Sequence, residues 1–355
     1  MKSMTRTAEF VTVGVDTHSD VHVAAIIDDT GAILTTGSFP ATTRGYVALA
    51  TWAEGFGEVS KVGVEGTGTY GAGLARFLAN YGMEVVEVDR PDRKTRRRRG
   101  KSDPIDAQCA ARAALSGQAS TTPKSRDGAV EMIRVLRVAR RGAMKARVVA
   151  AEQLHGLLQS APEELRAAHS RRSTLGLARA CAGLRPGALR DPEAATKAAL
   201  RSIARRLLQL QEELDALDEQ LEALITETAP GLVALPGVGV DTAGQLLVTA
   251  GDNSERLKSE AAFAHLCGVA PIPASSGRTD RHRLNRGGDR QANKALWRIV
   301  LVRMQWHEPT KAYVARRTTQ GLSKPEIMRC LKRYVARDVY RHLTKHAPTL
   351  EVDRQ

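Results

Sequence analysis

The sequence predicts an α/β domain on a mixed five-stranded sheet, then a long coiled-coil helix, then a mostly α-helical C-terminal domain. Three observations carry this. Short β-branched runs alternate with amphipathic stretches over residues 9–120. A leucine heptad follows at 200–224, and Pro230–Gly231 then interrupts the helix before a Gly-rich, helix-forming tail.

The elements follow in order. VTVGVD (11–16), VHVAAIID (21–28) and AILTTGSF (32–39) are strands separated by polar turns, the pattern of an antiparallel meander. TTRGYVALATWAEG reads as a helix and KVGVEGT (61–67) as a buried strand. GAGLARFLANYG is a helix closed by Gly82, and MEVVEVD (83–89) is the fifth strand. SDPIDAQCAARAAL opens the next helix, with Ser102 or Asp103 as cap and Pro104 in the first turn. Three consecutive strands followed by βαβ crossovers give the mixed sheet. Residues 128–229 form a helical linker region. In it Leu200, Ile203, Leu207, Leu210, Leu214, Leu217, Leu221 and Leu224 alternate in steps of three and four. Such a seam joins two copies of a chain or packs within one. Residues 230–345 form the last domain, where LPGVGVDTAGQLLVTAG (235–251) reads as a helix-hairpin-helix whose backbone N–H groups can hold a phosphate.

Charge narrows the function. The 355 residues carry 53 Lys+Arg against 39 Asp+Glu, a formal charge of +14, which points to a polyanionic partner. Eight of the twelve residues from Arg90 to Lys101 are basic, among them Arg96, Arg97, Arg98, Arg99 and Lys101. A second basic stretch, Arg134, Arg137, Arg140, Arg141, Lys145 and Arg147, reads either as a nucleic-acid-holding face or as a solvated one. Four scattered cysteines argue against a disulfide framework or a zinc site. With no apolar run of about 18 residues and no signal-like start, the expected location is the cytoplasm.

Four carboxylates stand out. Asp16 closes the first strand and Glu65 the fourth; if those strands are parallel neighbours, both emerge at one sheet edge. Asp103 and Asp106, three apart, share one face of a helix start. Clustered carboxylates repel, and divalent cations relieve the repulsion; two Mg²⁺ ions there could clamp the attacking and leaving oxygens of a phosphodiester.

VGVDTHSDVHVAAIID, VGVEGTGTYGAGLARFL and RRRRGKSDPIDAQCAARAA resemble the N-terminal domain of the IS110-family (DEDD) transposases, a RuvC-like branch of the RNase H-like fold. LPGVGVDTAGQLLVTAGD, FAHLCGVAPIPASSG and HRLNRGGDRQANKAL resemble that family's second, transposase domain. The resemblance implies that Asp16, Glu65, Asp103 and Asp106 bind metal, with Mg²⁺ the expected ion. It also implies a serine nucleophile in the ASSG loop that attacks a DNA phosphate, here Ser276, with Ser275 second. Arg278, Arg281, His282 and Arg283 would neutralise that phosphate. DNA as substrate, an element-encoded guide RNA, and a nucleoid-associated bacterial setting are further implications. A homo-oligomer is expected through the heptad helix 200–224.

Three other readings remain open on the sequence. One is a Holliday-junction nuclease that uses water in place of serine. Another is a sugar-kinase-like ATPase, against which the arginine run argues. The last is a non-catalytic nucleic-acid-binding module.

Overall fold

Why the first five strands find one another is written in their side chains. β1 (Phe10–Thr17), β2 (Val21–Asp28) and β3 (Ile33–Pro40) form an antiparallel meander with Val13 opposite Ile26 and Ala24 opposite Gly37. Helix α1 (Thr43–Glu54) crosses over, its N-terminus capped by Thr42, whose hydroxyl accepts from the Gly45 N–H. The chain then returns as β4 (Glu58–Glu65), parallel to β1 with Val15 beside Val64. Helix α2 (Ala72–Asn80) leads to β5 (Val85–Val88), parallel to β4. The order is β3-β2-β1-β4-β5, the expected mixed sheet, in a computed structural model that describes residues 7–88, 102–169, 171–278 and 282–345. The buried Asp28 holds the β2–β3 turn by accepting from the Thr30 and Ala32 N–H groups at 3.0 and 2.9 Å, with Gly31 at φ +81°. It is a turn residue.

The two sheet faces are covered differently. Val13, Val15, Ala24, Ile26, Leu49, Leu74 and Leu78 pack under α1 and α2 in a large aliphatic core. The other face takes α3 (Asp103–Leu115), whose buried residues include Ala107, Ala110, Ala111 and Ala114. Alanine alone does not explain how closely this helix approaches. A Cβ on Gly14 would stand 2.1 Å from the Ala111 nitrogen, and one on Gly63 would stand 2.8 Å from the Ala110 carbonyl oxygen. Glycine on β1 and on β4 is therefore what lets α3 lie directly on the strands.

The chain divides into two compact units, Met1–Arg126 with Gly251–Lys258, and Asp127–Ala250 with Ser259–Gln355. Residues 121–126 belong to the sheet unit. The Glu87 N–H donates to the Thr121 carbonyl, and the Asn253 side chain bridges the Ser125 N–H and the Pro123 carbonyl at 3.1 and 2.9 Å.

In the second unit α4 (Ala129–Gln159) lies antiparallel to α7 (Pro192–Thr228), tied by Arg140–Asp218 at one end and Arg206–Gln153 at the other. Between them lie two short helices, α5 (Glu163–His169) and α6 (Thr174–Ala182). Leu154, Leu158, Leu177, Cys181, Leu200 and Leu207 form the core there. The heptad splits into two lines. Leu200, Leu207, Leu214 and Leu221 are buried inside the chain, whereas Ile203, Leu210, Leu217 and Leu224 are half-buried.

Helices α8 (Pro230–Val233) and α9 (Val240–Ala250) flank a tight hairpin with Gly237 at φ +74°. Buried Arg303 fixes it, donating to the Pro236 carbonyl at 2.7 Å and to Asp338 at 2.9 Å. Then come α10 (Glu260–Leu266), a two-stranded ribbon of β6 (Ile272–Pro273) and β7 (His282–Arg283), α11 (Arg290–Trp306), α12 (Glu308–Thr319) and α13 (Lys324–Lys345). Asp289 caps α11 and accepts from the Thr249 hydroxyl at 2.8 Å. Among the described residues no helix is long and apolar enough to cross a membrane.

Candidate active site

Parallel register decides where the acidic residues meet. Val15 and Val64 pair and both enter the α1/α2 core, so the next residue of each strand, Asp16 and Glu65, faces the opposite side. That is the side on which Gly14 and Gly63 admit α3. The Thr17 hydroxyl donates to the Glu65 carbonyl at 2.8 Å and locks the two strand ends together. Gly66, at φ +69°, then turns the chain away. Docked on the glycines, α3 brings its first turn, with Asp103 and Asp106, to the same face. Asp106 is buried and Asp103 half-exposed.

His18 completes the cluster. Its Nε2 lies 3.3 Å from an Asp16 carboxylate oxygen and 3.5 Å from one of Asp103. One ligand atom from each of Asp16, His18 and Asp103 falls within 4.8 Å of the others. Burial pushes the Asp16 carboxyl above its ordinary range; His18 pulls it back, and the negative charges of Asp106 and Asp103 add to the rise. The α3 N-terminus favours anionic side chains in its first turn, which offsets part of that repulsion. An oxygen-rich donor set with one imidazole, electrostatically strained when its acids are all ionised, fits a divalent cation.

Behind the cluster, on the other sheet face, His22 stacks on Tyr46 with centroids 5.7 Å apart and planes 11° from parallel. Both its ring nitrogens are buried with no hydrogen-bond partner. Burial first, and His18 second, push its pKa below the usual histidine value.

The remaining predicted residues lie elsewhere. Ser275 and Ser276 are exposed on the turn that follows β6, with Gly277 at φ +55°, and Arg278 and Arg283 are exposed as well. Arg96, Arg97, Arg98, Arg99, Lys101 and Arg281 lie outside the described residues. The basic stretch of α4 does not present one free face: Arg134 pairs with Glu131, Arg137 with Asp241, and Arg140 with Asp218.

The structure puts the four acids named from the sequence on one sheet face and brings Asp16 and Asp103 within ligand distance of His18, which the sequence reading passed over together with the two glycines. A D-x-H at a strand end puts both side chains on one face, and that was the available signal. A glycine inside a strand reads first as a weak point and only second as a site of close approach.

A mixed sheet of this order, carrying acids at the ends of its first and fourth strands and on the helix after its fifth, defines the RuvC-like class of α/β domains. A family model for IS110-type DEDD transposases, described as "Transposase", matches residues 13–162. A second, described as "Transposase IS116/IS110/IS902 family", matches residues 230–315. The chain belongs to the IS110 family of transposases. It is 34% identical over 136 residues to the "Insertion element IS110 uncharacterized 43.6 kDa protein" of Streptomyces coelicolor, covering 37% of this chain and 33% of that protein. To the "Insertion element IS900 uncharacterized 42 kDa protein" of Mycobacterium paratuberculosis it is 26% identical over 148 residues, 39% of this chain and 37% of that protein. The chain thus spans about a third of the length of the curated relatives it matches.

Proposed function

We propose that the protein is the transposase of an insertion sequence, cutting and rejoining DNA strands at a metal site built from Asp16, Glu65, Asp103 and Asp106. The observation that carries this reading is the convergence of Asp16, Asp103 and His18 within ligand distance on a face shared with Asp106 and Glu65. The names of the matched relatives, both insertion-element proteins, support the element context. Asp16, Glu65, Asp103 and Asp106 would hold Mg²⁺, which would supply Lewis-acid stabilisation of charge on the phosphate. His18 Nε2 pairs with Asp16 and Asp103 when it carries a proton; deprotonated, the same nitrogen would instead be a ligand for the ion.

In the proposed strand exchange, Ser276 Oγ attacks the phosphorus. A serine O–P bond forms, the P–O3′ bond breaks, the serine proton is lost, and O3′ leaves as a hydroxyl. The 5′ phosphate is then carried on the serine until a second 3′ hydroxyl reverses the step. Arg278, Arg281 and Arg283 neutralise the attacked phosphate, and the arginine run at 96–99 with Lys101 grips the flanking backbone. Family resemblance supports an element-encoded guide RNA as the source of target choice. The half-buried line Ile203, Leu210, Leu217 and Leu224 supports self-association through α7.

The test uses purified protein, an element-end DNA and Mg²⁺. Asp16→Asn should lower strand cleavage about 10³-fold or more, equivalent to about 4 kcal/mol of barrier. Ser276→Ala should abolish the protein–DNA adduct that denaturing gels detect. Cleavage that persists in Ser276→Ala and Ser275→Ala without an adduct would favour the water-using nuclease.

A further inference from the structure

A cleft of about 290 Å³ in the second unit is walled by α4, the start of α9 and the start of α11. Six cations line it: Arg137, Arg140, Arg141, Lys145, Lys294 and Arg298. They divide into two sets. Arg137 donates to the Asp241 carboxylate at 2.9 Å, to the Asp241 carbonyl at 3.0 Å and to Gln245 at 3.3 Å. Arg298 reaches the same carboxylate at 3.5 Å, and Arg140 is held by Asp218. These three arginines therefore fix the walls, joining α4 to α7 and α9, and α9 to α11. Among the described residues Arg141, Lys145 and Lys294 have no carboxylate partner.

Three uncompensated, exposed cations on a braced frame form an anion receptor whose walls are already fixed, so that only these side chains have to order on binding. The composition of the cleft says which anion. Strand readers of unpaired nucleic acid stack bases on aromatic side chains. No aromatic ring lines this cleft; its remaining wall is Thr242, Gln245, Gln291, Met144 and Ala295. Such a surface holds phosphates and offers bases no aromatic ring to stack on. The α9 N-terminus, presented by the helix-hairpin-helix, points the same way.

We infer that this cleft is a sequence-independent clamp for the phosphodiester backbone of a base-paired nucleic acid, with Arg141, Lys145 and Lys294 as its phosphate-contacting groups. The inference rests on the DNA-handling function proposed above and adds to it a duplex-holding site in a unit that contains none of the four acids. DNA and RNA duplexes share the chemistry recognised, so the test carries one arm for each.

The experiment compares the full chain with the variant R141Q/K145Q/K294Q by fluorescence anisotropy. The probes are a random-sequence 30-bp DNA duplex, the same sequence as an RNA duplex, and an unpaired oligo-dT of equal length. The variant should lose about 10-fold or more in affinity for at least one duplex at 100 mM salt. Its slope of log K against log salt should flatten by about 2–3, since each contact contributes about 0.9. The dT probe should change far less. Loss confined to DNA identifies a B-form occupant, and loss confined to RNA an A-form one. Unchanged duplex affinity and slope would overturn the inference, as would an equal loss on dT. The three side chains have no carboxylate partner to lose, so melting should stay within a degree or two. If the triple variant nevertheless unfolds, K294E alone carries the same readout. Metal-dependent cleavage is scored separately. Protein that never cleaves, yet binds duplex in a variant-sensitive way, would break the proposed enzyme and leave the clamp standing. Cleavage with variant-insensitive binding would do the reverse.

Discussion

The acidic cluster and the serine turn are built on opposite principles. Asp16, Glu65, Asp103 and Asp106 sit at the ends of two central strands and one helix, and the helix is pressed so close that only glycine fits beneath it. Ser275 and Ser276 sit on an exposed turn beside a two-residue ribbon. A site on paired elements holds its groups to within the precision of the sheet; a site on a turn takes its geometry from what comes to it. The difference teaches where mutations act at a distance: packing changes reach the acids, whereas the serines respond to local changes.

The largest expected effect tests that claim directly. Gly14→Ala places a methyl group against the α3 backbone and should cost about 3 kcal/mol or more. Calorimetry should show the loss, and metal binding should weaken with it because Asp103 and Asp106 move away. Gly277→Ala should alter adduct formation with far less change in melting. Equal melting losses would erase the contrast between the two regions.

Next in size, Leu207→Ala should cost about 2–5 kcal/mol, because Leu207 is fully buried in the chain's own core. Leu210→Ala should cost less in the monomer and should shift the oligomeric state on size exclusion. The pair separates the internal line of the heptad from the outer one.

A smaller effect is pH-dependent. The pKa of His22 is lowered in the fold, so the unfolded chain binds its proton more readily. Its contribution is intact above the ordinary value of 6.5 and declines as pH falls below it. His22→Phe keeps a ring on Tyr46 and removes the titration. The melting temperature of the variant relative to the wild type should therefore rise as pH falls from 7.5 to 5.5.

The smallest effect concerns Asp16. Its carboxyl is pushed up mainly by burial, so ionisation weakens the fold as pH rises through its titration range. Asp16→Asn should raise the metal-free melting temperature by about 2 °C at neutral pH. Mn²⁺ should raise the melting temperature of the wild type, and Asp16→Asn should abolish that rise.

Sheet order, strand ends and the acids on them were legible because period-two patterning and βαβ chirality leave few alternatives. The closeness of α3 was not, because Gly14 and Gly63 have no side chain to form a pattern. His18 was passed over for a similar reason: an isolated polar residue past a strand end has no periodic partner. The heptad announced a seam, yet one strand of sequence cannot say which of its two lines stays inside. The short helices α5 and α6 hide in a stretch where Pro and Gly mask a turn or two of amphipathicity.

The bond from the Ser125 N–H to Asn253 spans 128 positions of chain. During synthesis the stretch after α3 therefore waits for its partner while the intervening helices are made, on the order of ten seconds at ribosomal speed. Residues 123–125 gain these bonds only once Asn253 has been made. A nascent protein thus carries its acidic strands in a domain whose last stitch is placed only after α9 has been translated.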